Sequence, residues 1–117
     1  MALQITFHGV THSGAVEAKI RSRASKLERS CDSIIGCRVA IEAPHRHSMA
    51  DREFEVRVEV AVPGEKIIAS GKAGHRQAFA DLMLAVRLAF DAMRRQLEDY
   101  EERRHRHIRA RIKELAA

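Results

Sequence analysis

The stretch that most constrains this chain is the one in which Phe54, Val56, Val58, Val60 and Val62 are interleaved with Glu53, Glu55, Arg57 and Glu59. A period of two sends successive side chains to opposite sides of a strand, so one face here is apolar and the other strongly charged. Such a strand needs a covering layer on one side and water on the other. The economical solution is an α+β two-layer sandwich with helices on one face of an antiparallel-rich sheet. Pro63-Gly64 follows as the central pair of a type II turn, because Pro presets the first dihedral and Gly accepts the positive φ of the second. The chain then returns as a strand around Lys66 to Ser70.

The remaining elements fall around this hairpin. Leu3, Ile5 and Phe7 alternate with Gln4, Thr6 and His8, a strand closed by Gly9. From about Ser13 to Ser30 the period changes: Val16, Ile20, Ala24 and Leu27 recur at helical spacing, with Ser13 as N-cap. Cys37, Val39, Ile41 and Ala43 form another alternating strand, closed by Pro44, and His45-Arg46-His47-Ser48 reads as a loop. A long second helix is expected from roughly Arg76, its sheet-facing stripe being Phe79, Met83, Val86, Phe90, Met93, Leu97 and Tyr100. Asp99 and Glu102 each precede an arginine by four residues, which favours continued helix beyond the stripe. The order is β-α-β-β-β-α, with four strands and both helices on one sheet face. The first strand and the one after the first helix are candidates for a parallel pair.

A chain of 117 residues has room for one domain of ordinary size. We expect residues 1–102 to form it and residues 103–117 to be a basic tail continuing the second helix. Lys plus Arg outnumber Asp plus Glu by 21 to 16, a net charge of +5, which attracts polyanions. Two cysteines, Cys31 and Cys37, are too few for a disulfide framework and match no zinc or Cys-x-x-Cys spacing, so reduced thiols are expected. The N-terminus lacks the basic and apolar regions of a signal peptide, and no apolar run approaches the ~20 residues of a membrane span. The expectation is a cytoplasmic protein with no membrane partner.

Chemistry-bearing motifs are sparse. The 7 histidines include His45-x-His47 and His105-x-His107, but residues two apart point away from each other on strand or helix, so neither pair suits a metal. No dinucleotide fingerprint, Walker loop, zinc-protease motif or nucleophile elbow occurs. Gly71-Lys72-Ala73-Gly74 could place a phosphate at a helix N-terminus, yet its spacing is not that of a P-loop, and a linker is the better reading. No catalytic residue, metal or cofactor is expected. An enzyme would require the histidines to converge with carboxylates such as Asp81 and Asp91.

The basic residues say more. Lys19, Arg23 and Lys26 line one flank of the first helix at i, i+4 and i+7, a spacing able to track a phosphate backbone or simply to solvate that flank. Beyond the core stripe come Arg103, Arg104, Arg106, Arg109, Arg111 and Lys113, with Glu114 opposing them.

The segments Leu3-Gln4-Ile5-Thr6-Phe7-His8-Gly9-Val10, Lys26-Leu27-Glu28-Arg29, Asp81-Leu82-Met83-Leu84-Ala85-Val86 and Met93-Arg94-Arg95-Gln96-Leu97 resemble the ribosome hibernation-promoting factor and ribosome-associated translation inhibitor family, over roughly residues 1 to 100. The resemblance implies a β-α-β-β-β-α fold similar to a double-stranded-RNA-binding domain. It implies binding to the small ribosomal subunit and its rRNA in the channel for messenger and transfer RNA, blocking translation and storing idle ribosomes under stress. The family's basic helix positions fall on Arg23, Lys26 and Arg95. Lys19 and Arg94 extend the same chemistry, and Arg103, Arg104 and Arg106 would add tail contacts. The sequence departs from the family where Met83 and Leu84 replace a Tyr-Ala pair, where Arg87 occupies an acidic position, and in a longer connection from Gly71 to Ala80. It resembles the short form, without the second domain that pairs ribosomes.

Two other readings stay open. One is a stand-alone domain for structured RNA away from the ribosome. The other is an interaction module: Leu84 and Leu88 lie nearly opposite the core stripe and would mark a weak homodimer or partner surface.

Overall fold

In the computed structural model of the chain, residues 1–43, 53–74 and 78–116 are described. The elements are β1 (Ala2–His8), α1 (Gly14–Ser30), β2 (Gly36–Glu42), β3 (Phe54–Val62), β4 (Glu65–Ala73) and α2 (Ala78–Ala116). They form one four-stranded sheet in the order β1-β2-β3-β4. β1 pairs parallel with β2, and the two later pairings are antiparallel. This is the expected α+β two-layer architecture. Pro44 and the His45 to Ser48 loop lie outside the described residues, as do His75 and Arg76.

Local chemistry accounts for most boundaries. Ser13 caps α1 by accepting the Val16 amide on its hydroxyl at 3.3 Å, and the Cys31 amide closes the other end on the Leu27 carbonyl at 3.0 Å. Val62 faces Glu65 across the β3–β4 hairpin, so Pro63 and Gly64 alone make the turn, with Gly64 at φ 86°. An L side chain resists that dihedral, which explains the glycine.

All five alternating residues of β3, from Phe54 to Val62, are buried. They meet Val16, Ile20, Ala24 and Leu27 of α1, Cys37, Val39 and Ile41 of β2, Ile67, Ala69 and Ala73 of β4, and the inner face of α2 in one apolar cluster. β1, at the sheet edge, contributes half-buried Leu3, Ile5 and Phe7. α2 lies over β3 and β4, and α1 packs beside α2 and against β1.

Three sequence expectations give way. Phe79 is 56% exposed, and the buried stripe of α2 is Leu82, Ala85, Val86, Ala89, Phe90, Met93, Leu97 and Tyr100, with Met83 only half-buried. Phe79 shares the helical face of Val86 and Phe90 but sits in the first turn, where that face has little sheet beneath it. Gly71 to Ala73 is neither linker nor phosphate loop: it is the end of β4, paired with Val56, Glu55 and Phe54. A Cβ on Gly71 would lie 2.4 Å from the Ala85 carbonyl oxygen and 2.5 Å from the Ala89 nitrogen. The glycine is there because the backbone of α2 crosses the strand at this point, with Ala85 and Ala89 as the small residues on the helix side. The connection between β4 and α2 shrinks accordingly to positions 74–77.

α2 comprises 39 residues, a rod of roughly 58 Å at 1.5 Å per residue. The longest dimension of the molecule is 62 Å, and the radius of gyration is 17.0 Å, against about 13 Å for a compact domain of 100 residues. The excess is the C-terminal part of α2, whose residues from Glu102 to Ala116 are all exposed.

Candidate nucleic-acid interface

The helical layer presents α1 and α2 side by side, and most candidate cations lie on it. On α1 the helical repeat places Lys19 and Lys26 on the flank that carries Arg23. Arg23 is the most buried of the three, with 22% of its side chain exposed. Its guanidinium reaches across to α2, where Nη1 lies 4.0 Å from Asp91 Oδ1. Asp91 is shared, because its other oxygen lies 3.8 Å from Arg87 Nε. The Arg23 Nε atom is buried without a hydrogen-bond partner among the described residues. Arg23 therefore faces α2 at ion-pair distance and is less open to solvent than its neighbours on the flank.

Arg94 occupies the same α1-facing flank of α2 and pairs with Glu98, one helical turn on, at 3.8 Å. Arg95 points outward on the ridge shared with Leu84 and Leu88, which are 42% and 40% exposed. The structure thus places Lys19, Lys26 and Arg95 as exposed cations that form no ion pair with a described residue, whereas Arg23, Arg87 and Arg94 each lie within ion-pair distance of Asp91 or Glu98.

Further along α2, Arg103 and Arg104 are tied to the body. Arg103 Nη2 lies 3.4 Å from Glu65 Oε1 at the β3–β4 turn, and Arg104 donates to the hydroxyl of Ser33. Arg106 is exposed with no such tie among the described residues. Arg104 thus falls away from the outward ridge, while Arg106 returns to it.

Between the end of α1 and α2, Cys31 donates its thiol hydrogen to Glu101 Oε1 at 3.1 Å. That hydrogen bond is the main reason the Glu101 carboxyl is held below its usual range. Burial, reinforced by the same contact, pushes the Cys31 thiol up, and burial alone pushes Cys37 up to about 11. Neither sulfur is an activated nucleophile. His12 packs edge-on against Phe7 and contacts Glu17 at 2.6 Å, and Glu17 is held low chiefly by its hydrogen bond from Arg21. Among the described residues no group of three or more His, Cys, Asp or Glu is placed to hold a metal. No described helix is long and apolar enough to cross a membrane.

Sequence reasoning missed Asp91 as the organiser of this surface. Its signal was present in the i, i+4 spacing of Arg87 and Asp91, but the link to Arg23 depends on how the two helices pack.

The fold has close structural relatives. The N-terminal domain of Thermus thermophilus Protein Y superposes with a TM-score of 0.67 at 16% identity, covering 86% of this chain and 99% of that one. A ribosomal subunit interface protein from Coxiella burnetii gives 0.63 at 22% identity, covering 87% and 99%. No curated protein matches the chain in sequence. The profile of the family described as Sigma 54 modulation protein / S30EA ribosomal protein matches residues 3–105, from the first strand to beyond the last core residue of α2. With nearly the whole folded body inside that match, all of α1 and α2 as far as His105, the chain belongs to the Sigma 54 modulation protein / S30EA ribosomal protein family, a ribosome-associated family.

Proposed function

We propose that this protein binds the small ribosomal subunit in the channel for messenger and transfer RNA, contacts rRNA through the α1/α2 layer, and holds ribosomes in a non-translating state. The observation that carries this reading is the group Lys19, Lys26 and Arg95, exposed on the helical layer and without an ion pair to any described residue, in a protein of this family. Cations that neutralise phosphates displace the counterions condensed on the RNA, and that release drives association. Arg94 and Arg106 border the same layer and add to its potential, while Arg103 and Arg104 serve first to seat α2 on the body. Structured RNA is read largely by shape and backbone, and a rigid two-helix platform suits that task.

The test is sedimentation of stationary-phase cell extract through sucrose, following the protein across small-subunit, monosome and paired-ribosome fractions, together with inhibition of cell-free translation. Small-subunit co-sedimentation with inhibition supports the proposal. A protein that binds structured RNA but stays at the top of the gradient would instead be acting away from the ribosome.

A further inference from the structure

The part of α2 beyond the sheet carries an apolar stripe that the RNA reading leaves unused. Ile108, Ile112 and Leu115 are 44%, 60% and 83% exposed. Their i, i+4, i+7 spacing continues the inner face of Leu97 and Phe90 past the point where the body ends. In heptad terms Ile108 and Leu115 occupy d positions and Ile112 an a position, a short coiled-coil seam with no partner helix among the described residues. The flanking positions are then Arg109 and Ala116 at e and Arg111 at g, with Arg104, held by Ser33, at the g position before the seam.

We propose that this segment docks an acidic amphipathic helix of another protein, with Ile108, Ile112 and Leu115 as the seam and Arg109 and Arg111 selecting the partner's charge. Charge decides the occupant. A second copy would bring Arg109 and Arg111 of both chains to one seam, with no carboxylate at an e or g position from 104 to 116 to offset them. RNA would satisfy the arginines but leave the aliphatic stripe in water, since base recognition relies on aromatic or guanidinium stacking. An acidic helix satisfies both, in the helix-to-helix mode that reads i, i+4, i+7 anchors. The inference goes beyond the ribosomal reading and does not depend on it.

The experiment uses the full chain and two designed helical peptides of about three heptads, both with Leu at a and d, one with Glu and one with Lys at e and g. The expected result is binding of the Glu peptide at least about tenfold tighter than the Lys peptide. Replacing Ile108, Ile112 and Leu115 together by Ala should remove that binding with the thermal midpoint unchanged, because these side chains are exposed and Ala keeps the helix. Arg109→Glu with Arg111→Glu should reverse the preference towards the Lys peptide. Equal affinity for both peptides, no binding to either, or Glu-peptide binding that survives loss of the three aliphatic residues would overturn the proposal. So would self-association that the triple Ala variant abolishes, or seam-dependent binding to phosphatidylglycerol vesicles in place of the Glu peptide.

Discussion

The hydroxyl of Tyr100 donates a hydrogen bond to the carbonyl of Pro63 at 3.0 Å, so the last core residue of α2 clamps the β3–β4 turn. The ring is buried, and Phe would keep its packing while removing only the donor. Tyr100→Phe should therefore lower stability by about 1 kcal/mol. That corresponds to a fall in melting temperature of roughly 4–8 °C for a small domain. Differential scanning calorimetry checks it, and an unchanged midpoint would mean that water replaces the bond at no loss.

Gly71 is the tighter constraint. Adding one methyl group there sets a carbon against the backbone of α2 at Ala85 and Ala89, where no side chain can swing aside. Gly71→Ala should push the helix off β4 and destabilise by about 3 kcal/mol, at the upper end for overpacking. Gly64→Ala meets no atom within 4 Å but must hold φ 86°, so it should lose only about 1 kcal/mol. Chemical denaturation of the two variants should rank them in that order.

These two glycines also show how far the sequence could be read. Gly64 was legible because Pro-Gly between two alternating strands has one common use. Gly71 was not, because a glycine near a strand end looks like punctuation, and only the path of α2 over the sheet reveals a close approach. The β3 face, the Ser13 cap and most of the α2 stripe follow from local periodicity. Phe79 failed because periodicity identifies a face of a helix but not where the sheet beneath it stops. The site divides in the same way. Lys26 and Arg95 are visible as cations on helices, whereas the bridge from Arg23 to Asp91 exists only once the helices are side by side.

The buried thiols give a test of the core that is independent of melting. Burial holds Cys37 protonated up to about 11, from an ordinary value of 9.0. An unfolded chain releases that proton earlier, so stability should fall as pH rises from about 9 towards 11 and be unaffected by this group below 9. At pH 8 neither Cys31 nor Cys37 should react with a disulfide reagent at a rate independent of unfolding. Labelling followed by mass spectrometry, with and without denaturant, measures this; rapid native labelling of Cys37 would place that end of β2 in solvent.

The cations of the helical layer separate into two kinds, and a mutant series should separate them in the same way. Lys26 and Arg95 are exposed and unpaired with any described residue, so Lys26→Ala with Arg95→Ala should change stability by no more than about 0.5 kcal/mol. Each lost phosphate contact should reduce the slope of log affinity against log salt by roughly 0.7 to 0.9. Arg23→Ala differs: it removes a largely buried side chain that faces Asp91, leaving that carboxylate to Arg87 alone. Its effect should appear in folding, at up to about 1 kcal/mol from the lost ion pair and the lost packing of its stem, as well as in binding. Ribosome pelleting across a salt series, alongside thermal melts of each variant, distinguishes the two classes. A double variant that pellets with the wild-type salt slope would move the RNA contact off this layer, and the exposed Arg38 and Arg57 on the open face of the sheet would be the next cations to replace.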